Sequence, residues 1–243
     1  MAMTKLSIFI PSYKRPEVLD MTLKGLYDNT VSGNEYNVEI YLALNKAGEA
    51  DVNVAKSYVD IFKNKGILFK YHCHIKNVGK AKALNNLFDI SSKDSDYIVT
   101  MDNDMVIRMP WLHYVTEANS IKYDIMGFCS SLFWAHDPIR ERCPFINYNG
   151  FTFYKPYSVA GGMMLFPYNF LKDNKWTNHG GVYGRDDAEM CLRAKEKYVY
   201  NSEEPWLEHD PLKGTSDLLK DYEDKKVKLY ESGITVFKDG WDE

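Results

Sequence analysis

Two aspartates separated by a single residue offer the clearest chemistry in this sequence. Asp102-Asn103-Asp104 follows the apolar run 97–101, which is rich in β-branched residues and has the length of a buried strand. Because side chains alternate along a strand, Asp102 and Asp104 point the same way if the extended backbone continues. Adjacent carboxylates repel each other unless a cation lies between them, and Mg²⁺ or Mn²⁺ is the hard ion that such oxygens bind. The pair predicts a divalent metal site; the alternative is a polar loop in which Asp104 caps a turn.

The strands and helices that must position these carboxylates alternate regularly through the first hundred residues. Apolar strand patterns lie at residues 6–10, 38–45, 67–75 and 97–101. Helical patterns follow the first three strands and begin at Pro16, at Val52 and after the cap residue Asn77. These alternations predict right-handed crossovers and a mostly parallel sheet, in which ligands bind beyond the carboxyl ends of the strands. We therefore expect residues 11–15, Asn45 and 102–104 to meet at one edge.

The second half of the chain alternates less regularly. Helices are predicted after Pro110, from Asp186 and over 216–232, and strands at 123–133, 151–154, 158–166 and 198–200. Residues 134–150 and 203–211 are predicted as polar segments. Gly161-Gly162 falls inside the 158–166 strand, where it lets a ligand approach the backbone closely. The fold class is a single α/β domain with a mixed central sheet flanked by helices.

Composition excludes several classes of protein. The 243 residues are 45% hydrophobic, enough for one large domain with an ample core. A net charge of −4 argues against a generic nucleic-acid binder. The four cysteines are scattered, without a Cys-x-x-Cys pair, as is typical of reduced cytosolic thiols: Cys73, Cys129, Cys143 and Cys191. No signal peptide and no apolar run of about 18 residues is found, so a soluble cytoplasmic protein without a membrane span is expected.

In this order, the motifs resemble those of GT-A glycosyltransferases of the family-2 type, over about residues 6–210. Residues 7–16 are similar to the family's first strand and nucleotide loop, and 77–85 to its Gly-Lys-Ala-x-Ala-Leu-Asn segment. Residues 102–104 stand where the family carries its metal-binding Asp-x-Asp. Residues 160–162 and 184–187 resemble its acceptor-side glycine strand and its catalytic acidic helix. The resemblance implies a Rossmann-like GT-A fold and an enzyme that transfers a sugar from a nucleotide-sugar donor to an acceptor hydroxyl.

The resemblance also implies a division of labour along the chain. About 1–105 would bind the nucleotide sugar, about 106–215 would bind the acceptor and carry out catalysis, and about 216–243 would form a C-terminal helix and tail. Donor-binding residues are expected at Pro11, Tyr13, Arg15, Asn45, Gly79, Lys80, Asn85, Asp102 and Asn103. Acceptor contacts are expected at Gly161, Gly162 and Trp134, and metal ligands for Mn²⁺ or Mg²⁺ at Asp104, Asp102 and His209.

The acidic pair Asp186-Asp187 carries the expected catalysis. If the family's inverting chemistry applies, Asp187 is the general base that takes the proton of the acceptor hydroxyl. Asp186 is the alternative base, with acceptor binding or water ordering as its preferred role. The structural alternative for both is charge at a helix N-terminus. For His209 the alternative is an ordinary surface histidine, and for Trp134 it is packing.

Departures from the family pattern leave several questions open. Asn45 stands where the family often has an aspartate that binds the nucleotide base, so the base is undecided, with a UDP-sugar as the expected donor. His72 and His74 flank Cys73 and suggest a metal pair, but an exposed strand face is preferred because no acidic residue is near in sequence. The processive Gln-x-x-Arg-Trp element is absent.

Three other functions compete with this one. A sugar nucleotidyltransferase needs a glycine-rich loop after the first strand, and residues 11–16 contain no glycine. A catalytically inactive GT-A-like module that binds a nucleotide or glycan is the second. The third is a viral-type enzyme that glycosylates modified DNA bases in a host cytoplasm. Abundant Lys, Asn and Tyr suggest it, because they are typical of proteins from AT-rich genomes, which include viral ones. The acceptor is thus a glycan, a glycoconjugate or modified DNA, and the sugar and oligomeric state are open.

Overall fold

The computed structural model describes residues 3–33, 35–130, 143–157, 159, 162–177, 186–202 and 206–209. The predicted acceptor residues Trp134 and Gly161, residues 184–185 of the acidic motif, and the helix predicted over 216–232 lie outside these residues.

Eleven strands and six helices make up the described fold. The strands are β1 Thr4–Tyr13, β2 Tyr36–Asn45, β3 Leu68–His74, β4 Tyr97–Met101, β5 Met105–Ile107, β6 Ile125–Ser130, β7 Phe145–Tyr148, β8 Phe151–Tyr154, β9 Met163–Pro167, β10 Lys197–Ser202 and β11 Leu207–His209. The helices are α1 Pro16–Asn29, α2 Glu49–Asn64, α3 Lys80–Ile90, α4 Leu112–Ala118, α5 Tyr168–Asp173 and α6 Asp186–Arg193.

Nine of the strands form one mixed sheet, in the order β3-β2-β1-β4-β9-β6-β10-β8-β7. The first four are parallel, as the alternation of strands and helices predicts. Strand β9 runs antiparallel to both β4 and β6, and joins the parallel half to a mixed half. Strands β5 and β11 pair separately as a two-stranded sheet. The mixed sheet flanked by helices confirms the predicted fold class.

Strand β1 is longer than predicted. It continues through Pro11 to Tyr13, where a loop was expected, and remains paired with β2 up to Tyr13↔Asn45. Strand β4 pairs with β1 only as far as Phe9↔Thr100. Proline is tolerated in a sheet where one side of the strand is unpaired, so Pro11 does not end the strand.

Asn77 is not the cap of α3, contrary to the prediction. The helix begins at Lys80, and Gly79 is its N-cap with φ of 81°. Asn77 instead accepts a hydrogen bond from the Gly79 N–H at 3.0 Å. A glycine adopts this positive φ without strain, so the chain turns at Gly79 and the helix starts three residues after Asn77.

The mixed half departs from prediction in several places. The strand expected over 158–166 begins at Met163, so Gly162 precedes it, and it pairs with β4 and β6. The helix expected after Pro110 begins at Leu112. Four elements were not predicted: β5, β7, α5 and β11. Each has three to six residues, too few for a periodic pattern to stand out.

Apolar side chains fill both faces of the sheet. On one face, Leu6 and Ile8 of β1 pack with Leu23 of α1, and this cluster extends without a break to Trp111 and Trp206 in the second half. The other face carries a second cluster beneath α3. A core shared by both halves makes the fold a single domain.

None of the described helices is long and apolar enough to cross a membrane. Within the same residues, Cys73, Cys143 and Cys191 are free thiols.

Candidate active site

The chain turns sharply after β4, where the two aspartates stand. Met105 donates its N–H to the Asp102 carbonyl at 3.1 Å, and the Asp102 N–H donates to the Gly162 carbonyl at 2.9 Å. The extended geometry therefore ends at Met101, and the two carboxylates are brought together by a turn rather than by strand alternation. The turn leads directly into β5.

Both carboxylates are paired with a cation from another element. The Arg15 Nη1, just after β1, lies 2.9 Å from Asp104 Oδ2. The Lys80 Nζ, at the start of α3, lies 2.8 Å from Asp102 Oδ1. Four residues expected from sequence to serve one site thus form two ion pairs at the carboxyl end of the parallel strands.

His209 reaches the same place through the small sheet. Strand β11 pairs antiparallel with β5, with His209 opposite Met105, the residue after Asp104. The His209 Nε2 lies 3.7 Å from Asp104 Oδ1. A pairing across about a hundred residues of sequence positions this histidine, so sequence spacing alone could not place it.

The second oxygen of Asp104 gives a test of whether a metal fits. Asp104 is 9% exposed, and its Oδ1 is buried with no hydrogen-bond partner among the described residues. Burying a carboxylate oxygen without a hydrogen-bond partner costs free energy. A carboxylate oxygen and an imidazole nitrogen together form a ligand set that Mn²⁺ accepts. Among the described residues, no group of three or more Asp, Glu, His or Cys side chains is arranged to hold a metal ion. Mg²⁺-type ions are commonly held by one or two carboxylates, with phosphate and water as the other ligands, and the residues fit that kind of site.

Asp187 belongs to the same electrostatic environment. Burial raises the pKa of the Asp102 carboxyl to about 7, Lys80 opposes the rise, and the negative charges of Asp104 and Asp187 add to it. Asp187 lies in the first turn of α6. Carboxylates from two distant parts of the chain therefore act on Asp102, and such a concentration of negative charge favours a bound cation.

Asn103, between the two aspartates, is held by residues that sequence analysis did not single out for this purpose. Its Nδ2 donates to the Ser12 Oγ at 3.1 Å, and its carbonyl accepts from the Thr22 Oγ1 at 2.7 Å. Thr22 is buried in α1. Its polar side chain inside an apolar helix face was the only available sequence signal.

The ends of β1 and β2 have the same unusual backbone. Lys14 and Lys46, which follow the paired residues Tyr13 and Asn45, have φ of 46° and 47°. Non-glycine residues rarely adopt such values, and they cluster at functional sites. Asn45 is 4% exposed, and its Oδ1 is buried without a hydrogen-bond partner among the described residues.

Other predicted site residues have different surroundings. Both polar atoms of the Asn85 amide bond the backbone of Trp176, at 2.7 and 3.1 Å, which gives Asn85 a structural contact that sequence analysis missed. Gly162 touches the site through its carbonyl, and a Cβ there would lie 3.0 Å from the Met105 sulfur. Asp186 is the first residue of α6.

The comparisons with known proteins bear on this geometry. The sequence model of a family described as Glycosyl transferase family 2 matches residues 7–173, more than half of the chain. The chain belongs to glycosyl transferase family 2. The match confirms the resemblance and covers the strands and turns that carry Arg15, Asn45, Lys80, Asp102 and Asp104.

Solved structures share the fold of this family-2 chain. Staphylococcus aureus TarS has a TM-score of 0.60 at 12% identity, over 84% of this chain and 36% of TarS. The Pyrobaculum calidifontis mannosyltransferase PcManGT, solved with GDP-Man and Mn²⁺, has a TM-score of 0.62 at 10% identity, over 84% and 58%. GalNAc-T7, solved with UDP, GalNAc and Mn²⁺, has a TM-score of 0.58 at 11% identity, over 82% and 44%.

These likenesses establish the GT-A fold. The family-2 chain spans between about a third and three-fifths of the length of these neighbours. A comparison with curated proteins finds no match.

Proposed function

We propose that this chain is a metal-dependent glycosyltransferase that moves one sugar from a nucleotide-sugar donor to an acceptor hydroxyl. The observation that carries the proposal is the Asp104 carboxylate, which is buried and bound to Arg15 through one oxygen. Its other oxygen has no hydrogen bond among the described residues and lies 3.7 Å from the His209 Nε2. Family membership supports the same chemistry, as do the nucleotide-sugar and nucleotide complexes of the structural neighbours.

Asp104 and His209 would hold Mn²⁺ or Mg²⁺, with Asp102 as a further ligand or as a contact to the ribose. Such an ion supplies positive charge to the leaving diphosphate. Arg15 and Lys80 already lie within 3 Å of the two carboxylates, so their cationic groups are near enough to contact phosphate oxygens once a donor binds. Asn103 orients the turn through Ser12 and Thr22.

Asp187 is the proposed general base. It would take the proton of the acceptor hydroxyl as that oxygen forms a bond to the anomeric carbon. The bond from the anomeric carbon to the diphosphate oxygen breaks on the opposite face, which inverts the configuration. This role is supported by the electrostatic effect of Asp187 on Asp102, since such an effect requires the two carboxylates to be near each other. Asp186, Gly161, Gly162 and Trp134 would contact the acceptor.

The division of the chain is also part of the proposal. Residues from about 1 to 105 would bind the donor, for which a UDP-sugar is expected, and those from about 106 to 215 would bind the acceptor. A glycan or glycoconjugate acceptor and a cytoplasmic location are proposed; glycosylation of modified DNA bases is the alternative.

The test measures donor binding and slow donor hydrolysis across a panel of nucleotide sugars with Mn²⁺, Mg²⁺ or EDTA. We expect one donor to be hydrolysed only with metal. Asp104→Ala should abolish metal-dependent binding. Asp187→Ala should still bind the donor and lower turnover by a factor of about 10²–10⁴. Asp60→Ala, an exposed aspartate of α2, is the matched control and should change neither quantity.

Two results would count against the proposal. If no donor binds under any metal condition, the carboxylates are structural and glycosyl transfer is wrong. Tight metal-dependent donor binding without hydrolysis or transfer to any acceptor would support the inactive binding module instead.

A further inference from the structure

Residues 175–177 form a short strap that is hydrogen-bonded to two helices at once. The Asn85 side chain of α3 makes two bonds to the Trp176 backbone: its Nδ2 donates to the carbonyl at 2.7 Å, and its Oδ1 accepts from the N–H at 3.1 Å. The Arg193 guanidinium of α6 donates to the Lys175 carbonyl and to the Thr177 Oγ1. The strap therefore connects α3 to α6.

The side chain of Trp176 strengthens this connection. Its indole ring is 3% exposed and belongs to the apolar cluster that also contains Leu84 of α3 and Met190 of α6. The ring meets Phe166 of β9 edge-on, with ring centroids 5.9 Å apart. A segment bonded through its backbone and packed through its side chain transmits displacement between its neighbours, because protein interiors are close-packed.

Each of the two helices carries a residue of the proposed reaction near the strap. Lys80, whose Nζ pairs with Asp102, lies about 7.5 Å along the α3 axis from Asn85. Asp187, the proposed general base, lies about 9 Å along the α6 axis from Arg193. A helix is stiff over such short lengths, so the strap relates the position of the base to that of the donor site.

The proposed transfer depends on this relation. The attacking oxygen must lie about 3–3.5 Å from the anomeric carbon, and a misplacement of about 1 Å can lower the rate by a factor of about 10². The carboxylates and cations proposed to hold the donor follow β1 and β4 or begin α3, whereas the base is on α6. The two parts must therefore be aligned by contacts between elements.

We infer that Asn85 and Arg193 are positioning residues, which hold the strap so that the base on α6 stays aligned with the donor bound at α3. The inference rests on the proposed function, since it assumes a donor beside Lys80 and a base at Asp187. Asn85 acts through Trp176, because the donor and the acceptor of its amide are both bonded to that backbone. Alanine at this position removes both bonds.

The neighbouring asparagine provides a matched control. Asn86 is the next residue of α3 and is half-buried like Asn85. Its side chain projects about 100° around the helix axis from that of Asn85. Replacing it removes an amide from the same turn of the helix without releasing the strap.

The experiment separates binding from turnover. Calorimetry with Mn²⁺ gives the dissociation constant and stoichiometry of UDP, or of GDP if the hydrolysed donor is a GDP-sugar. Steady-state kinetics gives kcat for hydrolysis of that donor. The wild type is compared with Asn85→Ala, Arg193→Ala, Arg193→Lys and Asn86→Ala, each checked for folding by circular dichroism at the assay temperature.

Release of the strap should lower turnover and spare binding. Asn85→Ala and Arg193→Ala should each lower kcat about tenfold, while nucleotide affinity stays within about twofold of the wild type and the stoichiometry is unchanged. Arg193→Lys keeps a charged donor and should recover part of the loss. Asn86→Ala should match the wild type in both quantities.

A second readout tests whether Asn85 acts through the base. When Asn85→Ala is added to Asp187→Ala, hydrolysis should change by less than about twofold, because a positioning residue has no effect once the group that it positions is absent. A general loss of structural integrity would lower the residual rate again.

Each other outcome decides against the inference. If Asn85→Ala weakens nucleotide binding and leaves kcat unchanged, Asn85 contacts the donor. If both alanine variants keep the wild-type kcat, or if the fall persists without Asp187, the strap does not align the base. Should Asn85→Ala fail to fold, Arg193→Lys decides, since a wild-type kcat there would also contradict the alignment.

These outcomes are distinct from failure of the proposed function. In all of them Asp104→Ala still abolishes metal-dependent binding and Asp187→Ala still lowers turnover, so the proposed function stands. If the wild type hydrolyses no nucleotide sugar with metal, the proposed function fails, and the inference fails with it.

Discussion

Glu39 is buried near the start of β2, away from the strand ends that carry the carboxylates of the candidate site. Its Oε1 lies 3.1 Å from the Lys5 Nζ, and its Oε2 accepts a hydrogen bond from the Tyr41 hydroxyl at 2.8 Å. Burial alone would raise the pKa of Glu39. Hydrogen bonds from Ser92, Tyr41 and Lys5, together with the Lys5 charge, outweigh burial and lower the pKa below its ordinary value of 4.5.

This lowered pKa predicts an acid-dependent loss of stability. The ionised carboxylate stabilises the fold fully above pH 4.5, and that contribution is lost as pH falls through the lower pKa of the folded state. Glu39→Gln should therefore lower the free energy of unfolding by about 1–2 kcal/mol near neutral pH. Urea unfolding of both proteins, repeated from about pH 7 to about pH 3, should show the difference shrinking as the wild type becomes protonated. A difference that stays constant over this range would contradict the assignment.

A site residue could be predicted from sequence when it belongs to a motif. It could not be predicted when its surroundings depend on a contact between distant parts of the chain. Asp102, Asp104, Arg15 and Lys80 belong to motifs and meet as expected. His74 was noticed only for its neighbour His72, because the pairing of β3 with β2 that places it beside Asn45 is not visible in sequence. For the same reason the hydrogen bonds of Asn85 to the Trp176 backbone were not expected, and its contact with the donor stays a prediction.

Helix α1 and strand β5 approach each other closely at Gly25. A Cβ at this position would lie 2.7 Å from the carbonyl oxygen and 3.0 Å from the nitrogen of Ile107. Asn29, one turn later, donates to the same carbonyl at 2.9 Å. The contact holds β5, and with it β11 and His209, against the first helix of the domain.

Gly25→Ala should destabilise the protein, although the same change in a helix interior normally stabilises by about 1 kcal/mol. The added methyl group meets backbone atoms that cannot move independently, so we expect a loss of about 1–3 kcal/mol in the free energy of unfolding. Denaturant unfolding measures it. Lys24→Ala, an exposed position in the same helix, should stay within about 0.5 kcal/mol of the wild type. A stabilised Gly25→Ala variant would show that β5 does not pack there.

Elements were predictable in proportion to their length. The long strands and helices of the first half follow from apolar periodicity, and the correction at β1 concerned only where the strand ends. Strands β5 and β11 have three residues each and are stabilised by pairing with one another across the chain. Residue propensity and apolar periodicity carry almost no signal at that length, so the sequence does not reveal the strand that positions His209.

The two halves of the molecule share one core. Trp111 and Trp206 are fully buried and stacked, with ring centroids 6.3 Å apart and planes inclined by 3°. They belong to the apolar cluster that also contains Leu6 and Ile8 of β1. The boundary expected near residue 105 therefore does not divide the described fold into separately packed units.

A shared core predicts cooperative unfolding of both halves. Far-ultraviolet circular dichroism, which follows the whole sheet and its helices, and tryptophan fluorescence should give the same urea midpoint and a single transition. Two transitions, with the tryptophan signal separated from the loss of secondary structure, would instead indicate that the halves unfold independently.

The place of β9 in the sheet has a consequence for the order in which the protein is made. It lies between β4 and β6, yet it is synthesised after both of them. Until residues 163–167 have left the ribosome, the apolar edge of β4 has no neighbour on that side and β6 has no link to the parallel half. Unpaired strand edges of this kind invite association with other chains. During translation of this interval the nascent chain is therefore open to association with other chains, and binding of a chaperone would protect it.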